Sequence, residues 1–415
     1  MALAPLLAEI LGGELPVAVE AYDGSRTGPA DAATKVIIRN PDAIRRVVTS
    51  PGELGISRAY VAGDIDVEGE IWGLMDLRDM VPDVKFSLGS VRRLVDELGG
   101  WREIHRVVPP PEEAHLHGRR HSQARDAAAI SHHYDVSNDF YRLVLGPSLT
   151  YSCAVFRTPD DTLEQAQANK YELICRKLGL EPGMRFLDVG CGWGGMALHA
   201  AQHHGVRAVG VTISARQAEL AEKRAGEAGL SDQVEIRLQD YRDIADGPYD
   251  AISSIGMFEH VGKARLAEYF ERLRGLLRPQ GRLLNHGISR RAGEHPALPR
   301  RSFANRYVFP DGELHEVGSV ITTMQAAGFE VRHEESLREH YGLTLRQWVA
   351  NLEANWDRAV EEATEGRARV WRLYMAGAAV NFERGGNQLH QVLAVPDEGT
   401  PTVSGMPLRP DFRLD

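Results

Sequence analysis

The segment FLDVGCGWGG, residues 186–195, is where chemistry first shows in this chain of 415 residues. Its apolar start reads as a buried strand, its middle as a glycine turn, and a helix is expected from about Trp193. Gly190 and Gly192 carry no Cβ, so the backbone at the turn can approach a ligand closely. If the strand belongs to an open parallel sheet, this turn lies at its carboxyl end, where such sheets bind ligands.

Three uses of the turn compete. A dinucleotide site wants G-x-G-x-x-G, whereas the spacing here is G-x-G-x-G-G, and the next strand ends in GVTIS without an acidic residue for a ribose. A tight turn with no ligand is the plainer alternative. The third is the methyltransferase variant, in which D-x-G-x-G, with Asp188 at its head, turns around S-adenosylmethionine. LQDYRD at the third strand's end favours it, because Asp240 offers hydrogen bonding and Tyr241 a surface for stacking on a purine.

Those strand ends converge only if the strands are parallel neighbours, and the surrounding pattern supplies this. Strands are expected over residues 184–190, 207–213, 234–240, 249–257 and 281–288, with helices between them. Two later strands, 329–336 and 390–395, flank a helical stretch from Thr344 to about Ala376. Before this lies a different unit. Leu3, Leu6, Leu7, Ile10 and Leu11 share a helical face that Gly12-Gly13 ends. PVAVEAY and KVIIR read as short strands, Asn40-Pro41 opens the helix DAIRRVVTS, and two further helices follow. The fold class is therefore α/β: a seven-stranded class I methyltransferase (Rossmann-like) sheet over 126–396, with a smaller N-terminal α+β domain over 1–107. Pro109–Pro111 mark a linker at 108–125, and the tail 397–415 reads as loose.

The bulk numbers narrow the partners. A net charge of −10 and the lack of a basic stripe argue against nucleic acid. Cys153, Cys175 and Cys191 have no metal-ligand spacing and, being few and odd in number, fit a reducing cytoplasm. His132-His133 lacks a third ligand at suitable spacing, so no metal is expected. The N-terminus shows neither a basic leader nor a cleavage signature, and no run of about 18 apolar residues exists to cross a bilayer. Association of copies of the chain stays open.

At this point the residues resemble the cyclopropane-fatty-acyl-phospholipid synthases and the related mycolic acid methyltransferases, over roughly 120–395. The matching segments are HHYDVSNDFY (132–141), LTYSCAVF (149–156), LDVGCGWGG (187–195), GVTIS with Arg216 and Gln217, LQDYRD (238–243), GMFEHVG (256–262), NHGI (285–288), YVFPDGEL (307–314) and REHYGLTLRQW (338–348). The resemblance implies that Tyr134, Tyr151 and Ser152 close over S-adenosylmethionine, that Gly190 and Gly192 face its amino-acid part, that Thr212, Ser214 and Gln217 hold the ribose side, and that Asp240 with Tyr241 holds the adenine. It further implies a bicarbonate ion as general base, held by Cys153, Glu259, His286, the backbone at Ile288, and Tyr341. NHGI departs from the usual leucine-flanked H-T-I, and an arginine-rich stretch follows it. The implied substrate is an unsaturated phospholipid acyl chain, reached from the inner face of the membrane by a cytoplasmic, peripherally bound protein. Arg290, Arg291, Arg300 and Arg301, with Arg119 and Arg120, are expected to meet anionic headgroups.

The chemistry explains this set. A cis alkene is a weak nucleophile and attacks a sulfonium methyl only when held in line and shielded from water. Methyl transfer leaves a carbocation. Losing a proton from the new methyl closes a cyclopropane; losing one elsewhere leaves a methylene branch. One base must stand near the new methyl, and the residues alone do not choose between Glu259 and a bound anion. Each residue also has a plain structural reading: Cys153 as a small buried hydrophobe, Glu259-His260 as a surface pair, His286 as a core histidine, Tyr341 as packing. The cyclopropane reading is preferred over a branched product, a different methyl acceptor, or a non-catalytic lipid-binding protein.

Overall fold

The computed structural model describes residues 2–80, 88–105, 107–114, 136–293, 302–310, 312–398 and 405–414. The chain divides into two units that are not consecutive in sequence. The first takes residues 1–115, 299–310 and 352–380, and the second takes 116–298, 311–351 and 381–415.

The first unit is built on a four-stranded sheet in the order β2-β1-β3-β4, with β1 (Ala18–Ala21), β2 (Arg26–Thr27), β3 (Thr34–Ile38) and β4 (Ile65–Gly69). Alternate residues of β3, Thr34, Val36 and Ile38, are buried, as expected of a sheet with one covered face. The next helix, Asp42–Thr49, has Pro41 rather than Asn40 at its N-cap, and Asn40 Oδ1 accepts the Asp42 N–H at 2.9 Å from one residue further out. Residues 352–380 were expected in the larger domain; they pack in this unit instead. The reason is a pair of buried arginines on the helix Glu365–Glu383. Arg369 donates to the carbonyls of Tyr60 and Ile65, each at 3.3 Å, and Arg372 donates to the Tyr60 hydroxyl at 3.4 Å.

The second unit carries the large sheet. Its seven-strand path runs β11-β12-β9-β8-β5-β6-β7, and the two-residue β10 (His315–Glu316) pairs beside β9. The strands are β5 (Arg185–Val189), β6 (Arg207–Thr212), β7 (Val234–Leu238), β8 (Tyr249–Ile255), β9 (Leu277–Arg290), β11 (Phe329–Ser336) and β12 (Asn387–Pro396). β5 to β9 are mutually parallel, and β12 runs antiparallel between β9 and β11. β5 and β6 are buried almost end to end because helices cover both faces. The chain leaves β5 toward β6 and later returns to β8 on its other side. The strand order therefore reverses at the end of β5, which is where such sheets form a ligand crevice.

The expected single helical stretch is three helices, Arg338–Ala354, Trp356–Glu362 and Glu365–Glu383. The tail is not loose throughout. Met406 is buried and Phe412 packs against the same core cluster, so its apolar residues tie it down.

Candidate active site

The glycine turn after β5 adopts the backbone that its composition anticipates. Gly190, Gly192 and Gly194 have φ of +76°, +55° and +79°, a region that side chains rarely tolerate. The N–H groups of Gly190 and Cys191 both donate to the Val211 carbonyl, at 3.0 and 2.9 Å, which hangs the turn from β6. Trp193 docks the preceding motif: its ring lies 4.9 Å from Tyr141, and its Nε1 donates to Asn138 at 2.9 Å. Arg224 secures the outside, donating to the Trp193 carbonyl at 2.6 Å and the Ser148 carbonyl at 3.1 Å.

A cavity of about 150 Å³ opens at the strand ends. Of the eleven cofactor residues read from the sequence, nine line it: Tyr151, Ser152, Asp188, Gly190, Gly192, Thr212, Gln217, Asp240 and Tyr241. Ser214 does not. It is the N-cap of the helix Ala215–Glu227, and its hydroxyl accepts the Gln217 N–H at 3.4 Å. Tyr134 lies outside the described residues, as do His132, His133, Arg119, Arg120, Arg300 and Arg301. Arg290 ends β9 rather than standing in a loop, with its guanidinium 3.5 Å from Glu316.

The lining suits a cationic nucleoside sulfonium. Tyr241 is braced edge-on by Tyr269 at 4.9 Å. Asp240 accepts from the N–H and Nε of Arg242 on one oxygen and from the Nη2 on the other. That leaves one lone pair for a ligand hydroxyl or amine. Asp188, almost wholly buried, accepts the Ser253 hydroxyl at 2.6 Å, and burial raises its carboxyl to about 6.

Lys170 also lines the cavity and was not picked out from the sequence. It is 0 % exposed and donates to the Ser152 hydroxyl at 2.9 Å. Burial lowers its ammonium to about 7, against opposing pulls from Cys153 and Asp188. The unfolded chain holds this proton up to its ordinary 10.5, so folding costs most below pH 7 and the cost fades as pH rises toward 10.5. The cost is on the order of 4 kcal/mol at neutral pH, against about 1 kcal/mol gained from the hydrogen bond. Lys170→Met should therefore raise the melting temperature at pH 7, remove the rise of stability between pH 7 and 10, and lower turnover by misplacing Ser152. A lower melting temperature at pH 7 counts against this reading.

Cys153, Glu259, His286 and Tyr341 are all buried, and none is among the cavity-lining residues. Glu259 Oε1 accepts the Ile288 N–H at 2.6 Å. That amide, assigned from the sequence to an anion, holds the glutamate instead. Cys153 Sγ donates to the carbonyls of Ala154 and Leu337 at 3.2 and 3.7 Å, and burial pushes its thiol well up. Tyr341 begins one turn beyond Leu337, its N–H donating to that same carbonyl at 3.3 Å, and its ring lies 4.6 Å from Phe382. Gly287, the departure within NHGI, has a packing cause: a Cβ there would stand 1.9 Å from the Phe258 ring.

A polar relay orients His286. Buried Lys177 donates to Gln391 Oε1 at 2.8 Å, so the Gln391 amide nitrogen faces His286 Nδ1 at 3.1 Å. Nδ1 therefore accepts. Burial, with Lys170 and Lys177 nearby, holds the imidazole well below its ordinary pKa, so the neutral ring carries its proton on Nε2. Nε2 is buried and has no hydrogen-bond partner among the described residues, and the same holds for Glu259 Oε2. Burial raises the Glu259 carboxyl to about 7.

Strand order and glycine turn together define a class I S-adenosylmethionine-dependent methyltransferase. The family model of mycolic acid cyclopropane synthetase matches residues 121–392, and the chain belongs to that family. It is 47% identical over 408 residues to a probable fatty acid methyltransferase of Mycobacterium tuberculosis, covering 96% of this chain and 95% of the relative. It is 34% identical over 372 residues to the cyclopropane-fatty-acyl-phospholipid synthase of Escherichia coli, covering 89% and 90%. The crystal structure of a mycolic acid cyclopropane synthase complexed with SAH and CTAB superposes with a TM-score of 0.61 at 35% identity, over 65% of this chain and 98% of that one. The protein is thus a lipid-directed methyltransferase that uses S-adenosylmethionine as co-substrate.

Proposed function

We propose that the protein methylates a cis double bond in the unsaturated acyl chains of membrane phospholipids and closes a cyclopropane, with bicarbonate as the bound base. One observation carries this reading: Glu259 Oε2 and His286 Nε2 are a buried acceptor and a buried donor with no partners among the described residues. A hydrogencarbonate needs just such a pair, a donor for its charged oxygen and an acceptor for its hydroxyl. S-Adenosylmethionine, when bound, supplies the electrophilic methyl. Gly190, Gly192, Asp240 and Tyr241 would hold it, and the apolar wall of Met257, Ile255 and Val261 would exclude water beside it. Glu259 and His286 would then hold the proton acceptor while the new methyl loses its proton, with Cys153 and Tyr341 as the further side chains that the family resemblance assigns to it.

Among the described residues no helix is long and apolar enough to cross a membrane. The proposed route to substrate is docking at the inner membrane face, with residues 1–107 and Arg291 as candidate contacts. A branched product is the second reading, because the relative at 47% identity is a probable fatty acid methyltransferase, a description that specifies no cyclopropane. Incubating purified protein with labelled S-adenosylmethionine and vesicles of unsaturated phospholipid, then separating the fatty acids by gas chromatography–mass spectrometry, decides between them. Label in a cyclopropane acid is the expected result. Label only in methylene- or methyl-branched acids overturns the product, and vesicle binding without label overturns the activity.

A further inference from the structure

We infer that the packed helices Leu163–Leu178 and Gly195–His204 form a closed site for a zinc-type divalent ion, with Glu172, Cys175, His199 and His204 as its ligands. The ligand atoms of Cys175, His199 and His204 all lie within 4.8 Å of one another. Glu172 is the candidate fourth ligand: its Oε2 lies 3.0 Å from His204 Nε2 and 3.7 Å from His199 Nε2. A tetrahedral ion with bonds of about 2.0–2.3 Å separates its ligands by roughly 3.3–3.8 Å. The thiol and the two imidazoles already form one group, and the Glu172 carboxylate, near both imidazoles, must turn toward the thiol to join it.

The surroundings resemble those of a built site. His199 Nε2 is buried and makes no hydrogen bond. Glu172 Oε1 accepts from Arg176 Nε at 2.8 Å, which turns the other oxygen toward the histidines, as an outer-shell partner does. Cys175, buried in the core cluster, would bind as its thiolate. One thiolate and one carboxylate neutralise the dication, and mixed sulfur and nitrogen donors select zinc over magnesium or calcium.

Four protein ligands leave no open position, so the ion is structural rather than catalytic. The same two helices bring Lys170, Tyr171, Gly195 and Met196 to the cofactor cavity. Clamping them would hold that wall in place.

The test uses the full chain stripped with a chelator and reloaded with zinc or cobalt. One equivalent of zinc should rebind and raise the melting temperature, with affinity increasing with pH as the ligands' protons are displaced. Cobalt should give intense tetrahedral bands and a thiolate charge-transfer band. Cys175→Ser should lose the charge-transfer band. His204→Gln, at the end of its helix, should weaken zinc at least tenfold while the melting temperature of the metal-free chain stays near the parent's. Zinc affinity unchanged in His204→Gln, or a cobalt spectrum without the thiolate band in the parent chain, overturns the site.

Discussion

Glu259→Gln should lower turnover by ~10²–10⁴-fold, the usual loss for one well-placed proton acceptor, while leaving the S-adenosylmethionine dissociation constant unchanged. The substitution preserves shape. The Gln amide oxygen can still accept the Ile288 N–H that Glu259 accepts at 2.6 Å, so packing around β9 survives and only the charge is lost. The parent enzyme should show an acid limb near pH 7. Burial raises the Glu259 carboxyl to about 7, and a carboxylate accepts protons only when ionised, so activity climbs as pH passes upward through that value. In Glu259→Gln the limb should vanish and the residual rate be flat. A second arm isolates the anion. In carbonate-depleted buffer turnover should fall, and bicarbonate at constant pH should restore it. An inactive variant with no bicarbonate effect in the parent would make Glu259 itself the base. A variant that loses cofactor affinity in step with activity would move Glu259 out of the catalytic group.

The large sheet was legible because parallel strands covered on both faces are written as unbroken apolar runs. RFLDV and RAVGVT, with glycine punctuation, need no long-range information to be read. For the same reason, nine of the residues read from the sequence as cofactor contacts come together around one cavity at the strand ends. Residues 352–380 were not, because their allegiance depends on Arg369 and Arg372, and arginine in a sequence reads as solvent-facing. Lys170 and Lys177 were missed on the same ground. Each is wholly buried, one holding Ser152 and the other orienting His286 through Gln391. Ser214 is not among the cavity-lining residues: a serine before a helix serves the backbone first, and its hydroxyl accepts the Gln217 N–H. The Cys175, His199 and His204 cluster has no recognisable metal-ligand spacing in the sequence, since it joins residues of two different helices.

Gly190→Val should abolish measurable cofactor binding, a loss of at least 100-fold, in a protein that still folds. Two effects act together and they separate experimentally. The first is backbone strain. Gly190 has φ +76°, where a β-branched residue costs on the order of 1–3 kcal/mol. The second is exclusion. The added Cβ would sit 3.4 Å from the Met257 Cβ and Sδ, already tight, and the two methyl groups beyond it must take space that the cavity needs. Gly229 supplies the control. Its φ is +70°, nearly the same, but nothing lies within 4 Å of a Cβ built there and it is remote from the lining residues. Gly229→Val should therefore lose comparable stability and keep its cofactor. Isothermal calorimetry on both variants, with melting temperatures alongside, gives the comparison. If the two lose affinity equally, strain alone explains the effect and the glycine turn is not the cofactor's seat. If Gly190→Val binds as the parent does, the ligand does not approach this backbone, and the close approach for which the D-x-G-x-G turn was read is absent.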